Sequence, residues 1–228
     1  MTELITALDY SNEADALETV RRIGDSGTWY KVGKELFTAA GPSVVHKLKE
    51  MGKKVFLDLK FHDIPNTVSK AVRSAAAIGA DLCNVHASGG RAMLTAAAEA
   101  ANDAGIRLIA VTVLTSMDAA ELASIGIDAT PQEQVIRLAK LTQACGVSGV
   151  VCSALELPAI RRECGREFLT VVPGIRPAGS SADDQKRIMT PAQAAAAGAD
   201  LIVVGRPITK AENPSAAAAA VMGELLGN

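Results

Sequence analysis

The chain of 228 residues carries 23 Lys and Arg against 25 Asp and Glu, is 49% hydrophobic and is only 3% aromatic. A formal charge of −2 with so few rings argues against a nucleic-acid binder, which needs a basic face or stacking platforms. The apolar content excludes a disordered chain, and no unbroken apolar run nears the ~20 residues that span a bilayer.

Taken in chain order, short apolar runs alternate with longer segments of helical period. The runs are LITALD (4–9), WYKVG (29–33), VFLDLK (55–60), LCNVH (82–86), LIAVTVLT (108–115), GVVCSA (149–154), LTVVPGI (169–175) and LIVVGRP (201–207). Most are rich in Val, Ile and Leu, as strands buried on both faces are. Between them lie helix formers such as NEADALETVRRIG, TVSKAVRSAAAIGAD and PQEQVIRLAKLTQACG. Gly52, Gly79, Gly105, Gly146 and Gly198 stand where helices should close. No Pro/Ser/Gly-rich linker divides the chain. Eight such units predict a single-domain α/β protein, a (β/α)₈ TIM barrel over residues 1–228. A doubly wound sheet is the competitor, but LDYSNEADA after the first run carries no glycine fingerprint.

Barrel chemistry is built where strands end at their carboxyl side. There the runs finish on Asp9, Lys31, Asp58 with Lys60, His86, Thr115, Ser153, Arg176 and Arg206. In VFLDLK, two-residue alternation puts Phe56, Asp58 and Lys60 on one face and Val55, Leu57 and Leu59 on the other. The apolar face must meet the helices, so Asp58 and Lys60 point into the barrel mouth. Lys31 shares a face with Trp29 and Gly33 and brings a second ammonium toward them. Asp63 falls past the end of this strand and need not point into its own barrel. Pro65, Asn66 and Thr67 mark a turn and a helix start. Gly205 and Arg206 suit an anion, in the loops where barrels bind phosphate. The polar stretch RPAGSSADDQ (176–185) predicts a mobile βα loop, with Gln185 able to reach over a ligand.

Cys83, Cys145, Cys152 and Cys164 form no CxxC pair, and His46, His62 and His86 show no HxH or HExxH spacing. No metal is therefore expected, and the thiols read as reduced and mostly buried. The first residues, MTELITALDY, carry no basic n-region and no cleavage-like site, so a cytoplasmic protein is expected.

DLKFHDIPNT (58–67) resembles the DxKxxD signature of orotidine 5′-phosphate decarboxylases. LDY (8–10), KVGKELF (31–37), NVHASGG (84–90), VTVLTSM (111–117), PGIRPAGS (173–180), DQKRIMTP (184–191) and VGRPIT (204–209) are similar to the same family, in unbroken order. DxKxxD alone is shared with hexulose-phosphate synthases and keto-gulonate-phosphate decarboxylases. The FHDIPNT continuation and the PGIRP…DQ…VGRPIT ending narrow it.

The resemblance implies cofactor-free loss of CO₂ from orotidylate to give UMP, the last step of de novo pyrimidine synthesis. It implies Lys60 as the acid that protonates C6, with Asp58 beside the departing carboxylate. Two accounts of Asp58 stand side by side: repulsion of the ground state, and holding Lys60 in place. Lys31 and Asp63 would complete a charge row, with Asp63 and Thr67 contributed by the partner of a homodimer. Asp9 would meet the ribosyl end, and Thr115 with Ser116 the pyrimidine. Arg206, the Gly205 backbone, Gln185 and Arg176 would hold the phosphate. His62 and His86 receive no chemical role. The alternatives are a Mg²⁺-dependent sugar-phosphate lyase or synthase using Asp9 and Asp58, and a phosphate-binding barrel without catalysis.

Overall fold

A computed structural model describes residues 1–177 and 189–227. The strands are β1 (Glu3–Leu8), β2 (Trp29–Gly33), β3 (Lys54–Phe61), β4 (Leu82–His86), β5 (Arg107–Val111), β6 (Gly149–Val151), β7 (Leu169–Val172) and β8 (Leu201–Val204). All pair in parallel with their sequence neighbours, and β8 pairs back to β1, closing the barrel. The helices between them are α1 (Glu13–Ile23), α2 (Lys34–Ala40), α3 (Ser43–Glu50), α4 (Pro65–Ala77), α5 (Gly90–Ala104), α6 (Ala119–Ser124), α7 (Pro131–Ala144), α8 (Leu157–Cys164), α9 (Pro191–Ala196), α10 (Arg206–Thr209) and α11 (Pro214–Leu226). This is the single-domain (β/α)₈ barrel that the alternating pattern predicts. The fifth and sixth runs are shorter as strands than as apolar stretches. After Val111 and Val151 the chain leaves the ladder to build the mouth of the barrel.

Local chemistry explains the helix ends. Asn12 caps α1 by accepting from the Asp15 N–H at 2.9 Å, and Thr130 forms a reciprocal capping box with Glu133 ahead of Pro131. Gly105 closes α5 in the left-handed conformation that a side chain would resist, and the other four predicted closing glycines also have positive φ.

Two apolar clusters divide the core. Between strands and helices lies the larger, including Leu8, Val32, Leu57, Val85, Leu94 and Ile202. Inside the barrel, Ile5, Trp29, Phe56, Leu82, Ile109 and Leu201 fill the lower part. Each large side chain buried there contributes about 1.5–3 kcal/mol. At the amino end of the strands Trp29 donates to Glu3 at 2.9 Å, with Lys54 and Arg107 over its ring at 5.2 and 5.1 Å. On the same end Arg161 donates to Asp200 Oδ2 at 2.6 Å, an oxygen that also takes the Thr170 N–H at 2.8 Å. Those polar networks tie the bottom of the barrel shut and leave the carboxyl end for a site.

Candidate active site

Two adjoining cavities open at the carboxyl ends of the strands. The first, of about 170 Å³, is lined by Lys31, Asp58, Lys60 and Thr115 among apolar walls that include Phe56, Val111, Val113, Val151 and Val203. The second, of about 420 Å³, is lined by Asp9, Lys31, Arg176, Gly205, Arg206 and Lys210, with Pro173 and Gly174. Lys31, Pro173 and Val203 border both, so a single extended ligand can occupy the pair.

A compact charge cluster stands between them. Lys60 Nζ donates to Asp58 Oδ1 at 2.6 Å, Lys31 Nζ lies 3.6 Å from Asp58 Oδ2, and the same ammonium donates to Asp9 Oδ1 at 2.8 Å. Asp58 is buried, with 8% of its surface exposed. Burial opposes its ionisation, but the Lys31 and Lys60 charges and hydrogen bonds from Lys60 and Asn84 outweigh that penalty and hold its carboxyl below the usual range. Gly33 leaves room for the Lys31 ammonium, because a Cβ there would stand 3.0 Å from Nζ.

Strand alternation holds in side-chain direction: Leu57, Leu59 and Phe61 line an outer groove while Asp58 and Lys60 line the cavity. The pairing does not follow a regular ladder. Between Leu57 and Phe61, four residues of β3 span two of β4. Within this bulge Lys60 has φ +54°, a left-handed backbone that costs a side-chain-bearing residue roughly 1–2 kcal/mol. Such outliers gather at functional sites.

Asp9, Lys31, Asp58, Lys60, Thr115, Arg176, Gly205 and Arg206 thus converge on the two cavities. Arg176 is buried, and its Nε has no hydrogen-bond partner among the described residues. Asp63 and Thr67 do not join them. Asp63 is exposed and takes the Ile64 N–H at 2.6 Å, and Thr67 is exposed in the first turn of α4. Ser116 is exposed and outside the lining of either cavity. Gln185 and most of the 176–185 loop lie outside the described residues.

Three participants escape a reading by strand ends. Asn84, fully buried on β4, donates to Asp58 Oδ1 at 2.7 Å and accepts the Lys60 N–H at 2.8 Å. Its signal was an amide inside an apolar strand. Lys210 lines the second cavity from beyond α10. Cys152 lines the first, and burial, reinforced by Glu156, pushes its thiol up, so it serves there as an uncharged wall. His86 ends β4 with its ring 5.7 Å from His62, and burial and then His62 hold its imidazole below the usual range. Among the described residues no group of three or more His, Cys, Asp or Glu is disposed to hold a metal ion.

Fold and site together define a (β/α)₈ barrel with a cluster of charged side chains at its carboxyl mouth, beside an arginine-bearing cleft. Residues 2–221 match the family described as Orotidine 5′-phosphate decarboxylase / HUMPS, and the chain belongs to that family. It is 57% identical over 216 residues to the orotidine 5′-phosphate decarboxylase of Vibrio campbellii, covering 93% of each chain. With that of Vibrio vulnificus it is 55% identical over 226 residues, covering 98% of this chain and 97% of the other. The crystal structure of orotidine 5′-phosphate decarboxylase from Lactobacillus acidophilus matches with a TM-score of 0.89 at 40% identity, covering 99% of both chains. An uncharacterized conserved protein from Geobacillus kaustophilus matches with a TM-score of 0.86 at 41% identity, covering 97% of this chain and 99% of that one.

Proposed function

We propose that this chain converts orotidine 5′-phosphate to UMP and CO₂. The observation that carries the reading is the Lys31–Asp58–Lys60 cluster, set in a small apolar cavity that continues into a cleft bearing Arg176 and Arg206. A pyrimidine fits the first space, and a phosphate suits the guanidinium groups of the second.

In the reaction, the bond from C6 to its carboxylate breaks and the electron pair stays on C6. CO₂ leaves, and Lys60 Nζ transfers a proton to C6. The neutral amine then regains a proton from water. A preorganised ammonium beside developing negative charge lowers the barrier most where water is excluded, and the apolar walls supply that condition. Asp58 binds both ammonium groups, which supports its role in holding Lys60. Asp9, through Lys31, extends the row toward the ribosyl end. Gln185 belongs to the phosphate grip by family resemblance.

The working unit is a homodimer in which Asp63 and Thr67 serve the partner's site. Their exposure outside both cavities of their own barrel supports this, as does Ile64 between them, 66% exposed. Four free, buried cysteines suit a reducing, cytoplasmic setting. Among the described residues no helix is long and apolar enough to cross a membrane.

The test is loss of orotidylate absorbance on adding purified protein in EDTA. Turnover at an unchanged rate is expected. Abolition with rescue by Mg²⁺ would move the assignment to a metal-dependent lyase, and tight UMP binding without turnover would leave a non-catalytic barrel.

A further inference from the structure

The charge cluster depends on a backbone that polypeptides avoid. Among the described residues Lys60 is the one non-glycine residue with positive φ, and it lies inside the β3 bulge. An N–H in a bulge loses its ladder partner and needs another. Here it donates to Asn84 Oδ1 at 2.8 Å. The same amide gives its Nδ2 to Asp58 Oδ1 at 2.7 Å, the oxygen that accepts from the Lys60 ammonium at 2.6 Å. One fully buried side chain therefore touches both the backbone of Lys60 and the counter-ion of its head group.

We propose that Asn84 is a positioning residue: its amide holds the Lys60 backbone in the left-handed bulge, fixes Asp58, and so sets where the Lys60 ammonium stands. Its activity readout rests on the decarboxylase reading above. The arrangement calls for an amide, with an acceptor for the Lys60 N–H and a donor for the carboxylate. Ala has neither. Asp keeps the acceptor but, when ionised, sets a second negative charge against Asp58. The charged and titratable groups around it are Asp58 and Lys60 from β3, Lys31 from β2 and His86 farther along β4. From β5 the residue in register is the apolar Ile109.

The experiment compares wild type, Asn84→Ala and Asn84→Asp for kcat and KM on orotidylate and for UMP affinity by calorimetry. Asn84→Ala is expected to lower kcat by about a hundredfold or more while UMP affinity stays within roughly threefold, since the proton donor moves but the phosphate grip does not. Asn84→Asp should be as impaired near pH 8. It should gain on wild type as pH falls toward about 5, where its carboxyl becomes neutral and donates to Asp58 again, a recovery that Ala cannot show. A kcat for Asn84→Ala within about tenfold of wild type would overturn the proposal. So would an equal loss of kcat and UMP affinity, the mark of a general disruption. If Asn84→Ala does not fold, Asn84→Asp decides by its pH-dependent recovery. Crystal structures of the variants test the idea without turnover. Lys60 leaving the left-handed region, or its ammonium leaving Asp58, supports the proposal, and both unchanged would overturn it. A wild-type protein that leaves orotidylate untouched defeats the decarboxylase reading alone, because the position of Lys60 is still read in those crystals.

Discussion

Lys60 reaches Asp58 Oδ1 at 2.6 Å from a left-handed backbone two residues farther along the same strand. The bulge turns a repeating strand into a mount for two opposite charges, and Lys31 closes on the other oxygen of Asp58 from β2. The two ammonium groups share Asp58 through different oxygens, and Lys31 also reaches Asp9, so substitutions at the two lysines should have different effects.

Lys60→Ala should reduce kcat by ~10³ or more while UMP binding remains measurable, since it deletes the proposed proton donor and leaves the arginine-bearing cleft. Single-turnover kinetics with calorimetric UMP titration check this. Retention of a tenth of wild-type kcat, a loss of only about 1.4 kcal/mol, would remove Lys60 from the acid role.

Arg206→Ala should raise KM and lower kcat for orotidylate, because binding energy at the phosphate is spent on arranging the reacting end. The nucleoside orotidine, lacking the phosphate, should lose far less. Equal losses on the two substrates would make Arg206 a structural residue.

Two glycine substitutions should separate function from stability. At Gly149 a Cβ would stand 2.0 Å from the Leu169 carbonyl oxygen, so Gly149→Ala forces β6 from β7. A stability loss of about 1–3 kcal/mol or more is expected by denaturant titration. At Gly33 the nearest atom is the flexible Lys31 ammonium at 3.0 Å. Gly33→Ala should therefore lower kcat with little change in melting temperature.

Asp58 and His86 both have pKa values below their ordinary ones, near 3.9 and 6.5 respectively. For each, folding favours the deprotonated form. The stabilising contribution is complete above the ordinary value and is lost as pH falls through the lower, folded one. Melting temperature should hold steady from about pH 9 to 7, as far as these two groups govern it. It should decline as His86 is forced to take a proton, and again in the acid range as Asp58 does. His86→Gln should erase the upper stage alone; an unchanged upper stage would assign it to another group.

Asp63 is expected to act across the proposed homodimer. Lys60→Ala and Asp63→Ala homodimers, each nearly inactive, are mixed under conditions of subunit exchange. Random exchange makes about half the dimers hybrid, each with one intact site, so about a quarter of all sites should recover. Demonstrated exchange with no recovered activity would return Asp63 to its own barrel.

The order of Val-, Ile- and Leu-rich runs and helix formers predicted a closed eight-stranded barrel once the missing glycine fingerprint had set aside a doubly wound sheet, which buries the same kind of units. Period-two alternation likewise determined that Asp58 and Lys60 face inward, since side-chain direction along a strand is a local property. Only the tertiary structure decided how they meet. The bulge exists as a mismatch between β3 and β4, so it has no meaning until residues 57–61 lie against 83–85. Asn84 reads in sequence as one polar residue in an apolar run. Its partners, Asp58 and Lys60, stand 26 and 24 positions away, and a hydrogen bond across that separation is set by the pairing of strands, not by composition or period.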